Sequence, residues 1–120
     1  MKPKIQSTSF GSITIEGEKY THDVLIRLDG EVRKRKKKLS KKVYGTSHVL
    51  SLAEAEHIFE PGAELLIIGS GQTGQVRLSS EAQEFFNANR VRVVLAATPK
   101  AIRLWNEAGG SAIGLFHVTC

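Results

Sequence analysis

The stretch Leu65-Leu66-Ile67-Ile68-Gly69-Ser70-Gly71-Gln72-Thr73-Gly74 constrains this chain more than any other. Four apolar residues run without alternation and then stop at glycines. A short continuous apolar run bounded by turn signals reads as a strand buried on both faces. In a parallel sheet, the loop leaving the carboxyl end of a strand is where ligands usually sit. One stretch thus predicts both a sheet and the place to look for a site.

The segments that follow fit the same plan. Ser51 and Glu54 form a capping box, and Leu52, Ala55, Ile58 and Phe59 share an apolar face that ends at Pro61-Gly62. After the glycines, Val76-Arg77-Leu78 leads to a helix over residues 80–89, with Ser80 and Gln83 as a second capping box. Val91 to Leu95 reads as the next buried strand. Thr98-Pro99 starts a helix, a capping hydroxyl followed by proline at the first helical position. Ala101, Ile102, Trp105 and Ala108 give its apolar face, and Gly109 stops it. Ala112 to Val118 is a last, nearly all-apolar strand. Helix and strand alternate from residue 51 onward, which implies a parallel sheet with helices packed on it.

The first third differs. Ile13 and Ile15 alternate with polar residues, Glu16-Gly17-Glu18 turns, and Lys19-Tyr20 returns. Val24 to Leu28 is a further strand, and Asp29-Gly30 is a strong hairpin signal. These predict a small antiparallel meander. Residues 43–48 read as a loop. The expected fold class is α/β, three-layer: a mixed central sheet flanked by helices, with an N-terminal antiparallel β meander, all in one domain spanning 1–120. Val24 to Leu28, Leu65 to Ile68, Val93 to Leu95 and Ile113 to Val118 should form the core.

Composition excludes several classes. No apolar run approaches the roughly 20 residues of a membrane helix, and no signal region follows the first residues; the expected location is cytoplasmic. The single cysteine, Cys120, excludes an internal disulfide and a zinc site made of paired cysteines. The net charge of +5 is concentrated: residues 33–42 hold 8 of the 17 bases and no acid, leaving 9 bases against 12 acids elsewhere. Such a run reads as a solvated edge that blocks aggregation, or as a contact for phosphate or an acidic partner. It has no interleaved aromatics for stacking on bases, which disfavours nucleic acid.

Gly69-Ser70-Gly71-Gln72-Thr73-Gly74 matches the dinucleotide pattern G-x-G-x-x-G, but no helix opens at the glycines and no acid follows for a ribose. No NAD, FAD or other cofactor is expected there. Exposed N–H groups in such a loop can instead hold an anion. His22, His48, His57 and His117 show no metal-ligand spacing, so no metal is expected. His57 should face solvent, and His117 reads as a hydrogen-bonded core histidine. Cys120 reads as a buried or terminal thiol that binds no metal. Ser47-His48 is not a catalytic pair, because neighbouring side chains in extended chain point to opposite faces.

Phe10-Gly11, Asp23, Ser40-Lys41-Lys42, Tyr44-Gly45-Thr46-Ser47-His48, Gly69-Ser70-Gly71 with Gly74, Thr98-Pro99 with Ala101-Ile102, and His117-Val118-Thr119-Cys120 form an ordered set. With it the chain resembles the short archaeal and bacterial branch of a family of small uncharacterised proteins. That family includes mitochondrial complex I assembly factor 3 and a mammalian adipogenesis-associated protein. The resemblance implies a three-layer α/β domain with an added antiparallel β part, and no particular activity. No mitochondrial leader is readable in this chain, so an organelle role is not expected to transfer. Trp105-Asn106 stands where many relatives carry Tyr-Asn, which keeps an aromatic wall.

The expected site is an anion or carboxylate pocket bounded by Ser70, Gly71, Thr98, Tyr44, Ser47 and His48, with Lys42 as a charged wall. The expected function is a non-catalytic binding or assembly module taking a protein partner or a small anionic ligand, with self-association left open. The alternative is an enzyme acting on a phosphorylated or anionic small molecule.

Overall fold

The computed structural model describes residues 2–120. In chain order the elements are β1 (Ile5–Ser9), β2 (Ser12–Ile15), β3 (Glu18–Tyr20), β4 (Val24–Ile26), β5 (Val32–Lys34), α1 (Lys38–Tyr44), β6 (Val49–Leu50), α2 (Leu52–Ile58), β7 (Leu65–Ser70), β8 (Arg77–Leu78), α3 (Ser80–Ala88), β9 (Arg92–Ala96), α4 (Thr98–Glu107) and β10 (Ala112–His117). The central sheet has the order β5-β4-β10-β7-β9. β10, β7 and β9 are parallel, while β4 runs antiparallel to β10 and β5 to β4. The predicted meander is divided: β1-β2-β3 form their own antiparallel sheet, and the Asp29-Gly30 hairpin joins β4 and β5 to the central sheet. Two-residue strands β6 and β8 pair in parallel. The fold is mixed α/β, and no helix of the described residues is long and apolar enough to cross a membrane.

Alternation along the central strands creates two cores. Leu25, Leu66, Ile68, Ile113 and Leu115 point to one face, where Ala55 and Ile58 of α2 and Ala82 and Phe86 of α3 cover them. Val24, Ile26, Ile67, Ala112 and Phe116 point to the other, against Ala101 and Trp105 of α4 and Ile5, Ile13 and Ile15 of the small sheet. Side chains of successive strand residues face opposite sides, so an unbroken apolar run must be covered twice. Each large aliphatic side chain so covered contributes about 1.5–3 kcal/mol relative to exposure. The small sheet is stitched to α4: Ile5 N–H donates to Asn106 Oδ1 (2.9 Å), Asn106 Nδ2 donates to the Ile5 carbonyl (2.7 Å), and Trp105 Nε1 donates to the Pro3 carbonyl (2.9 Å).

Several expectations are corrected. β9 is an edge strand, so Val93 and Val94 are only half-buried and Leu95 is 43% exposed. Leu52, expected on the apolar face of α2, is also exposed. His57 is half-buried rather than facing solvent, and burial together with nearby Lys36 and Arg27 lowers its pKa. The basic run is not one ribbon: it is an edge strand, then a buried arginine, then helix α1, which also takes in Val43 and Tyr44 from the predicted loop. The second helix cap is Ser79, whose hydroxyl accepts from Ala82 N–H, not Ser80. Ser51 caps α2 as predicted, accepting from Glu54 N–H at 3.1 Å. Thr98 lies one residue inside α4, and its hydroxyl caps nothing.

Candidate functional site

Residues 117–120, at and just past the carboxyl end of β10, are where the polar chemistry of this molecule meets. They fill the glycine loop. Gln72 N–H donates to the Thr119 carbonyl (2.7 Å), while Gln75 N–H (3.1 Å) and Thr73 Oγ1 (3.0 Å) donate to the Cys120 carbonyl. Thr98 Oγ1 closes the other side, accepting from Gly71 N–H (2.9 Å) and donating to the His117 carbonyl (2.7 Å). Gly11 N–H, in the β1–β2 turn, donates to the Val118 carbonyl (2.7 Å). Gly71 has φ +105°, and a Cβ there would lie 2.3 Å from the Cys120 carbonyl carbon. Only glycine meets both the left-handed backbone and the close approach. The Gly71, Gln72, Gly74 and Gln75 amides of the loop are thus answered by this chain's own oxygens.

The opposite side of the same segment is charged. Asp23, at the entry to β4, accepts from His117 Nδ1 (2.7 Å) and Arg35 Nη1 (3.0 Å) on Oδ2, and from Val118 N–H (3.0 Å) on Oδ1. Arg35 also donates to both oxygens of Glu54, from Nε (2.7 Å) and Nη2 (3.0 Å), and to the Ser47 carbonyl (2.8 Å). Ser40 of α1 donates to Glu54 Oε1. Asp23, Arg35, Ser40, Glu54 and His117 are all buried, and no buried side-chain nitrogen or oxygen among the described residues lacks a partner. Burial alone would raise the Asp23 pKa. Hydrogen bonds from His117 and the Val118 N–H, with the charge of Arg35 facing it, outweigh that and lower it to about 2. Burial likewise opposes charge on Arg35, yet Glu54 and Asp23 together hold its pKa above the ordinary value.

The network ends at a corner of donor atoms. His48 Nε2 lies 3.4 Å from Cys120 Sγ, and the His48 and His117 rings meet edge to face with centroids 5.4 Å apart. One ligand-type atom from each of His48, His117 and Cys120 falls within 4.8 Å of the other two. Thr119 Oγ1 stands 3.1 Å from His117 Nε2. Beside this corner a cleft of about 180 Å³ is lined by Thr21, His22, Lys34, Lys37, Val118 and Thr119, with Asp23 and Arg35 at its wall. A second hollow of about 360 Å³ is formed by Lys34 to Lys38. Among the described residues no acid forms an ion pair with Lys34, Lys36, Lys37 or Lys38.

The family described as "Protein of unknown function (DUF498/DUF598)" matches residues 5–111. This chain belongs to that family. Among solved structures it is similar to the conserved hypothetical protein PH1505 from Pyrococcus horikoshii OT3, at 31% identity, covering 98% of this chain and 99% of that one, with a TM-score of 0.91. It is similar to MT938 at 34% identity, over 99% and 100% of the two chains, with a TM-score of 0.81. A Bordetella pertussis protein described as a Mth938-like domain shares the fold alone, at 16% identity and a TM-score of 0.63 over 97% of this chain and 85% of that one.

In this DUF498/DUF598 chain the predicted site residues separate into three groups. Ser70, Gly71, Thr98 and His48 gather around residues 117–120. Ser47 is buried and serves through its carbonyl, as an acceptor for Arg35. Tyr44 and Lys42 are exposed on α1. His117 is the hydrogen-bonded core histidine expected. Sequence reasoning missed Arg35, Glu54 and the role of Asp23. Two local signals existed: an acid placed directly before an all-apolar strand, and an arginine within a lysine run, where the guanidinium fork suits a buried carboxylate pair better than an ammonium does.

Proposed function

We propose that the protein is a non-catalytic binding module for a small anionic ligand or an acidic partner segment, recognised at the carboxyl end of β10. The observation that carries this reading is the cleft between Thr21-His22, Lys34, Lys37 and Val118-Thr119. Its cations have no acid paired with them among the described residues, while Arg35 behind them is already bound to Asp23, Glu54 and the Ser47 carbonyl. An anion there would replace water around exposed lysines without breaking the buried network. The glycine loop acts as scaffold, because its amides hold residues 119–120 in place. Inorganic phosphate, added at constant ionic strength, should raise the melting temperature by linkage, and Lys34→Glu with Lys37→Glu should abolish the rise. No shift in the parent protein, or an undiminished shift in the double variant, rejects this cleft as the site.

One observation favours a second reading, an enzyme acting on a phosphorylated or anionic small molecule. Cys120 Sγ and His48 Nε2 are 3.4 Å apart, a distance at which an imidazole can take a thiol proton. That reading requires turnover of a phosphate or carboxylate ester that Cys120→Ser removes. Absence of turnover over a panel of such esters leaves the binding reading.

A further inference from the structure

We propose that His48, His117 and Cys120 form a binding site for a borderline divalent cation of the zinc type, with Asp23 as the group that orients His117. Two imidazoles and a thiol are the ligand chemistry that such an ion selects. The three residues come from separate parts of the chain: the loop before β6, the end of β10, and the segment held in the glycine loop. The fold brings their ligand atoms within 4.8 Å of one another. One pair is already at ligand spacing: 3.4 Å separates His48 Nε2 from Cys120 Sγ. Two ligands of a tetrahedral zinc, at about 2.0 Å for nitrogen and 2.3 Å for sulfur, stand roughly 3.5 Å apart.

The surroundings favour a cation independently of that spacing. His117 Nδ1 is held by Asp23 Oδ2 at 2.7 Å, which leaves Nε2 as the ligand atom. A carboxylate behind a histidine fixes its tautomer and the orientation of its ring, an arrangement common behind metal-binding histidines. Thr119 Oγ1 faces Nε2 at 3.1 Å and is half-buried, so rotation of its side chain clears the lone pair. Charge balance points the same way. Asp23 and Glu54 place two buried carboxylates against the single guanidinium of Arg35. A divalent cation carrying one thiolate adds one positive charge beside this network and cancels its excess. Three protein ligands leave a fourth position for water or a small ligand. The inference does not depend on the anion cleft, since neither lysine of that cleft supplies a ligand.

The test uses the full chain freed of metal, titrated with Co2+ and then Zn2+ while visible and near-ultraviolet absorption is recorded. The expected result is one Co2+ per chain with the d–d bands of a four-coordinate ion and a thiolate-to-cobalt band, all bleached by one equivalent of Zn2+. Cys120→Ser should remove the thiolate band. His48→Gln, at a half-buried loop position outside the buried network, should keep the fold and weaken Co2+ binding at least tenfold. Asp23→Asn keeps all three ligands and should weaken binding by about 10–100-fold. Absence of a four-coordinate spectrum overturns the proposal. So does Co2+ binding unchanged in both Cys120→Ser and His48→Gln, which would place the ion on other histidines such as His22 or His57.

Discussion

The two sides of residues 117–120 hold the same segment by different means. On the glycine-loop side the partners are uncharged: backbone amides and carbonyls, with the hydroxyls of Thr73 and Thr98. On the Asp23 side they are the charged side chains of Asp23 before β4, Arg35 after β5 and Glu54 of α2, joined by the Ser40 hydroxyl of α1. The first side closes a loop onto the segment and leaves its amides answered. The second side is also satisfied, yet it borders a cleft and a cluster of ligand atoms. A backbone-built site announces itself through glycines and can still be only a clasp. A side-chain-built site leaves only faint local marks and can hold the chemistry.

Mutations can break this contrast in order of expected effect. Arg35→Met should be the most damaging, because it strands Glu54 and Asp23 without their cation; removing one partner of a buried pair costs about 3–5 kcal/mol. Urea unfolding measures it, and a loss under about 1 kcal/mol would mean the charged side contributes little. Gly71→Ala should follow, at about 2–4 kcal/mol, combining left-handed strain with a clash against residue 120. Gly45→Ala supplies the control. It has a similar positive φ of +72° but nothing within 4 Å of the added carbon, so only the strain of about 1–2 kcal/mol applies. Equal losses at the two glycines would show that the clasp is loose.

Acid gives a smaller, graded effect. Asp23 is held at about 2, below its ordinary value of 3.8. A depressed carboxylate pKa contributes stability that is present above pH ~4 and is lost as pH falls through about 2, here about 2 kcal/mol. Unfolding free energies across that window should show the loss, and Asp23→Asn should flatten it. The smallest effect belongs to the cleft: Lys34→Ala with Lys37→Ala should change stability by no more than about 0.5 kcal/mol while removing the phosphate response. A large destabilisation would move those lysines from ligand recognition to structure.

The sheet was legible because its signals are local. Leu65 to Ile68 and Ala112 to Val118 carry their burial in consecutive residues, and Ser51 carries its cap within three. The edge position of β9 was not legible, since Val93 to Leu95 is as apolar as a central strand. What makes it an edge is the absence of a neighbour, which no property of its own residues encodes. The charged centre was hidden for a related reason. His117 lies 94 residues from Asp23, and Arg35 lies 19 from Glu54. In the chain Glu54 looks like half of a capping box and Arg35 like one more solvated base. The His48, His117 and Cys120 grouping has no ligand spacing because residues 48 and 117 meet only after β10 has entered the sheet.

That entry has a consequence for how the protein is made. β10 lies in the middle of the sheet, and among the described residues it alone bridges the β4–β5 hairpin to the β7–β9 pair. During synthesis, residues up to about 111 can leave the ribosome while the strands of those two halves have no pairing between them. Each half then presents an unpaired apolar strand until β10 emerges and fills the gap. Folding is therefore a closing step rather than a gradual one, and its long-range pairing sets a slow rate for so short a chain. The buried charges of Asp23, Arg35 and Glu54 suit that order. They keep hydrophilic groups beside the waiting slot until His117 and Val118 arrive to complete their hydrogen bonds.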